Sequence, residues 1–194
     1  MITLKKEDGP ADLDGVTHLS IGVSWDPTVG SSGGLMGKLR QKKGTDLDLI
    51  AIAVQGAEPV RLAGLDSLDP LGNGSLAHSG DNQTGRGDGD DETVTVDFAR
   101  VPSNITSIVF IAAAYKKRSS FQDARNISFK VYDATGGTTQ QVADIWPSLL
   151  SNDNGCAVAK AFRVGGSWKL EVINETGKIK QGDEQALMRF AVSK

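Results

Sequence analysis

The chain has 194 residues, is 39% hydrophobic and 23% charged, and has a mean hydropathy of −0.23, which fits one generous globular domain over residues 1–194. Its net charge of −3 has a single origin: residues 81–92 hold five acids and one base, and the remainder carries 19 acids against 20 bases. No apolar run approaches the ~20 residues of a membrane helix, the start Met1-Ile2-Thr3-Leu4-Lys5-Lys6 lacks a signal-peptide core, and Cys156, the only cysteine, excludes an intrachain disulfide and a cysteine zinc site. The expected location is therefore cytoplasmic, where the Asn-X-Ser/Thr matches at Asn82, Asn104, Asn126 and Asn174 have no glycosylation meaning.

Thr17 to Trp25 alternates, with Leu19, Ile21, Val23 and Trp25 on one face, and predicts a half-buried strand closed by Asp26-Pro27. Residues 28–44 form a Gly/Ser-rich loop that turns basic at Lys38, Arg40, Lys42 and Lys43. Part of it has the outline of a phosphate-binding loop, but Ser32 replaces the first glycine and Leu39 the magnesium-holding hydroxyl, so nucleotide binding is not expected. Thr45 to Val54 is apolar on both faces, as in a central strand; alternation places Asp46 and Asp48 on one face, ~6.5–7 Å apart at Cα. Glu58 to Leu62, Ser75 to His78, Thr93 to Phe98 and Asn104 to Tyr115 continue the strand series. Ser119 to Ala124 is a single helical turn, and Ile127 to Asp133, Thr138 to Ile145, Cys156 to Val164 and Trp168 to Ile173 are strands. Residues 182–194 suit a short terminal helix through Ala186, Leu187 and Phe190. Many short strands without a long amphipathic helix predict an all-β sandwich of two mainly antiparallel sheets.

Asp81 to Glu92 contains five carboxylates, one arginine and three glycines in twelve residues, and no apolar side chain. Such a stretch repels itself unless a cation neutralises it, and a hard ion taking six to eight oxygens, calcium first, is the natural partner. It is not an EF-hand: Gln83 and Gly85 replace interior acids and Arg86 replaces the required glycine, between strands rather than helices. Gly-X-Gly-X-Asp occurs once, which excludes a repeat-type calcium roll. What remains is a calcium loop joining two strands at one end of the sandwich, with Asp26, Asp46 and Asp48 at strand ends able to converge on it, or else a solvated acidic hairpin tip.

The residues Val23-Ser24-Trp25-Asp26, Thr45-Asp46-Leu47-Asp48 and above all the run from His78-Ser79-Gly80-Asp81-Asn82 to Asp90-Asp91-Glu92 resemble the TerD family of bacterial tellurite-resistance and stress proteins. Ser120-Phe121, Ile127 to Asp133, and Phe162-Arg163-Val164-Gly165-Gly166-Ser167-Trp168-Lys169 extend the likeness, in the same order, over nearly the whole chain. The resemblance implies a sandwich binding calcium, usually two ions. By match to the family's motifs, the side-chain ligands are Asp26, Asp46, Asp48, Asp81, Asn82, Asp90, Asp91 and Glu92, with carbonyls from Gly85 and Gly87. Two departures stand out: Arg86, where the family commonly has Glu, and the basic insertion around Lys38 to Lys43.

The expected function is thus a non-catalytic calcium-binding module of a cytoplasmic stress response, its partners calcium and other stress-response proteins. An alternative joins the ion to the basic loop to capture an anionic membrane or a phosphorylated ligand. A metal-dependent hydrolase is the remaining class, but His18 and His78 lie far apart in sequence and no Gly-X-Ser-X-Gly elbow is present. His78 beside the acidic run is weighed as a base and favoured as a hydrogen-bonded structural residue. Nucleic-acid binding is not expected at a pI near 5.4 with eleven scattered aromatics.

Overall fold

Alternating apolar positions along ten or so short segments demand two sheets with a shared interior, and the computed structural model supplies them. It describes residues 2–27, 46–64, 66–83, 89–114, 119–146 and 152–194. The strands in chain order are β1 Ile2–Thr3, β2 Ala11–Asp12, β3 His18–Pro27, β4 Asp48–Gln55, β5 Glu58–Ala63, β6 Leu76–His78, β7 Glu92–Asp97, β8 Ser107–Ala113, β9 Ala124–Asp133, β10 Gln140–Ile145, β11 Gly155–Val164 and β12 Ser167–Gly177. One six-stranded sheet has the order β1-β10-β9-β3-β7-β6, and the other β2-β12-β11-β8-β4-β5. Among the described residues every pairing is antiparallel except β1 with β10.

The inner faces interdigitate as the alternation requires. Leu19, Ile21, Val23 and Trp25 of β3 and Val94 and Val96 of β7 are buried, as are Phe129 and Val131 of β9. They meet Leu49, Ala51 and Ala53 of β4, Ile108, Phe110 and Ala112 of β8, and Leu170 and Val172 of β12 in one cluster. Phe98 stacks on Trp168 with ring centroids 4.8 Å apart, and the Arg163 guanidinium lies 4.6 Å from the Trp168 ring. Stacked and cation–π contacts of this kind reinforce area burial where two sheet ends meet.

β4 and β8 read as apolar on both faces because both faces are covered. Their second faces, Ile50, Ile52, Val54, Val109, Ile111 and Ala113, pack with Ile179, Leu187 and Ala191 beneath a terminal helix, α1 (Glu184–Val192). The i,i+4 pair Leu187 and Ala191 forms its buried stripe, and the Asp183 side chain caps it by accepting the Ala186 N–H at 3.0 Å. The predicted helical turn is a 3-10 turn at Phe121–Asp123. Among the described residues, no helix is long and apolar enough to cross a membrane.

The sequence reading misses β1 and β2. Each has two residues at a sheet edge, too short for alternation to register. The strand expected over Thr45 to Val54 begins only at Asp48, and that expected over Trp168 to Ile173 runs on to Gly177. In the latter, register shifts opposite Ala157 and Ala159, and Asn174 takes a left-handed φ of 47°, so a bulge hides the strand's second half from a period-2 pattern.

Candidate functional site

The strand directions bring the acidic segments to one end of the sandwich. β3 ends there at Pro27, β4 starts at Asp48, β6 ends at His78 and β7 starts at Glu92. Leu47, fully buried, anchors the entry to β4 and carries Asp46 and Asp48 on either side of it. Asp46, Asp48 and Asp81 each present a carboxylate oxygen within 4.8 Å of the other two. Their environments differ: Asp81 is exposed, Asp46 half-buried, and Asp48 only 3% exposed. Asp48 thus lies in the protein interior and not in water ahead of the strand.

Burial is the larger cause, and the negative charges of Glu92, Asp46 and Asp81 add to it, so that the Asp48 carboxyl is pushed up to about 8 against a smaller opposing pull from His78. Its Oδ1 is buried and accepts no hydrogen bond from the described residues. A buried carboxylate oxygen left without a donor is costly unless a cation meets it. Chemically, the arrangement can hold a hard cation.

Beneath this cluster lies a second layer that is fully desolvated. Glu92 is 0% exposed, and its Oε2 accepts the Leu49 N–H at 2.8 Å while its Oε1 accepts the Asn82 N–H at 3.1 Å. His78, 6% exposed, accepts the Gly80 N–H at Nδ1 (2.9 Å), which leaves the proton on Nε2 to be donated to the Leu49 carbonyl at 2.7 Å. His78 Nε2 and Glu92 Oε2 are 3.4 Å apart. Desolvation alone would lower the imidazole's pKa, but Glu92, the Leu49 carbonyl and Asp48 together outweigh it and the net shift is upward. Both ring nitrogens of His78 are thus engaged with backbone groups, the hydrogen-bonded arrangement that the sequence favours.

The three successive acids at the end of the acidic run point three ways. Glu92 faces inward. Asp91 accepts the Trp25 N–H at 3.1 Å and the Asn82 side-chain amide at 3.0 Å; burial, then Asp90, Glu92 and Asp26, raise its carboxyl despite the Trp25 bond. Asp90 turns to the outer face of the first sheet, where it accepts from Lys130 Nζ at 3.1 Å and from the Tyr132 hydroxyl. It lies flat over Gly22, where a Cβ would stand 2.2 Å from Asp90 Oδ2. Asp26 sits at a bulge: register shifts between Ser24 and Asp26, Asn126 opposite has φ 51°, and the Asn126 amide donates to Asp26 at 2.7 Å.

Of the sequence-read ligands, the fold gathers Asp46, Asp48 and Asp81 directly. Asn82 and Asp91 pair beside them, Asp26 lies near Asp91, and Asp90 and Glu92 are committed to protein donors. Gly85 and Gly87, like Arg86 and the basic residues Lys38 to Lys43, lie outside the described residues. Lys130 and Tyr132, which hold Asp90, are missed by the sequence reading; only the pairing of β9 with β3, which sets Lys130 opposite Gly22, could have pointed to them.

Comparisons with known proteins agree with this architecture. The tellurium resistance protein TerX of Serratia marcescens is 33% identical over 205 residues, covering 90% of this chain and 88% of its own. The stress response protein SCP2 of Bacillus subtilis (strain 168) is 30% identical over 169 residues, covering 83% of each chain. The crystal structure of a homologue of the telluride resistance protein TerD from Streptomyces coelicolor A3(2) superposes with a TM-score of 0.66 at 18% identity, over 90% of this chain and 96% of that one, a likeness of fold. A TerD domain model matches residues 2–182, and the chain belongs to the TerD domain family.

Proposed function

We propose that this protein is a non-catalytic, calcium-binding module of a bacterial cytoplasmic stress response of the tellurium-resistance type. The observation that carries the reading is the buried Asp48, whose Oδ1 has no donor among the described residues and whose carboxylate clusters with those of Asp46 and Asp81. Oxygens on opposite sides of a calcium ion stand ~4.6–5.2 Å apart, and the spacing of up to 4.8 Å among these three fits that shell. Asp46, Asp48 and Asp81 would hold one ion. Asp26 and Asp91, with the Asn82 amide between loop and strand, offer oxygens for a second. A bound ion would supply charge neutralisation, joining the acidic loop to the start of β4.

Relatives named for tellurium resistance and for stress response support the physiological half of the reading. A direct thiol reaction with tellurium has no support: Cys156 is fully buried, and burial pushes its thiol up to about 12. The test is isothermal calcium titration of EDTA-stripped protein with magnesium as competitor. Micromolar or tighter calcium binding that magnesium does not displace is expected; no heat and no competition would overturn the reading.

A further inference from the structure

The geometry points to His78 and Glu92 as positioning residues that set the approach of Asp48 to Asp81, with Glu92 outside the ion's coordination shell. The inference rests on the calcium reading and concerns how the chain builds that site. Both backbone polar groups of Leu49 are held: its N–H by Glu92 Oε2 (2.8 Å) and its carbonyl by His78 Nε2 (2.7 Å). Leu49 immediately follows Asp48. The same two side chains hold both neighbours of Asp81, Gly80 through His78 Nδ1 (2.9 Å) and Asn82 through Glu92 Oε1 (3.1 Å).

The clamp therefore grips the peptide beside one acid and the peptides flanking the other. It also spans the sandwich: His78 and Glu92 belong to β6 and β7 of the first sheet, and Leu49 to β4 of the second. Once Asp48 is ionised to meet a cation it repels Asp81, so the two need a rigid support to stay within reach of one another. Two backbone donors, one to each oxygen, explain how Glu92 is tolerated at 0% exposure without a metal. Residues that fix ligands from a second layer commonly change metal affinity by ~10–100-fold when altered.

Terbium(III) is the probe, bound to the full EDTA-stripped chain, with luminescence lifetimes in H₂O and D₂O counting the waters on the ion. Asp48→Asn, which alters a ligand, is expected to add about one water. Glu92→Gln keeps one acceptor and loses the other; it is expected to weaken terbium binding about tenfold or more with the water count of the wild type. His78→Phe, which can neither accept nor donate, is expected to weaken binding by about tenfold or more, and His78→Gln, which retains a donor and an acceptor, by less. An added water in Glu92→Gln, or wild-type affinity in a folded His78→Phe, overturns the proposal. Should His78→Phe not fold, the water count of Glu92→Gln still decides. Failure of the wild type to capture terbium would overturn the metal reading itself, before any variant is compared.

Discussion

Calcium capture should expel a proton from Asp48. Its carboxyl, buried among other acids, is pushed from an ordinary 3.8 to about 8, so at pH 7 roughly nine in ten ion-free molecules carry that proton. A ligating carboxylate must be ionised, so binding at pH 7 should release about 0.9 proton, falling to about 0.1 at pH 9. Titrations at fixed pH in PIPES and in Tris, whose ionisation heats differ and neither of which precipitates calcium, read this number from the change in apparent enthalpy. Apparent affinity should also weaken by about tenfold for each pH unit below 7. Tight binding at pH 7 with the same enthalpy in both buffers would refute the reasoning, because Asp48 would then be ionised already or would not meet the ion.

The same shift fixes the sign of the ion-free protein's stability. A raised native pKa means that the folded chain holds a proton the unfolded chain has lost, so stability is full below about pH 3.8 and declines as pH rises towards about 8. The slope in that window is about 1.4 kcal/mol per pH unit from this one group. Asp48→Asn keeps the shape and never ionises. In EDTA it should melt close to wild type at pH 3.5 and well above it at pH 8, yet gain little from added calcium. A variant that is both less stable without the ion and unaffected by pH would count against the buried-acid account.

Gly22→Ala should drive Asp90 off the outer face, since its new Cβ would stand 2.2 Å from Asp90 Oδ2; a loss of about 1–3 kcal/mol by urea denaturation is expected. Phe129→Ala empties a fully buried position between the sheets and should cost about 3–5 kcal/mol in the same assay. Arg163 donates to the Ile105 and Val101 carbonyls at 3.0 and 2.9 Å while stacking on Trp168, so Arg163→Lys should lose about 1–2 kcal/mol although the charge is kept. Asn154, 8% exposed, pairs both its amide groups with the Ile179 backbone at 2.8 Å. Asn154→Ala should lower the melting temperature by leaving the Ile179 backbone groups unpaired.

What the sequence made legible follows from how local each signal is. Leu19, Ile21, Val23 and Trp25 alternate within one strand, and period two alone puts them inside. The segments Thr45 to Val54 and Asn104 to Tyr115 reveal themselves as central because their second faces are also apolar, which α1 and Ile179 then cover. Concentrated charge marks Asp81 to Glu92 as a candidate for a cation, and strand alternation sets Asp46 and Asp48 at a strand end able to converge on it, as the resemblance to the TerD family also implies. The roles inside the acidic run are a different matter. Asp90, Asp91 and Glu92 are chemically alike and adjacent, so no spacing rule separates them; their directions depend on Gly22, Trp25 and Leu49, each distant in the chain. Gly22 makes room for Asp90 against the sheet, the bulge at Trp25 turns its N–H to Asp91, and the unpaired edge of the core at Leu49 receives Glu92. An acid's identity is written in the sequence, but whether it meets a metal or a peptide N–H is decided by which backbone group the opposite strand leaves without a partner. That is why His78, which the sequence weighs as a base, becomes intelligible only once Leu49 and Gly80 are seen on either side of its ring.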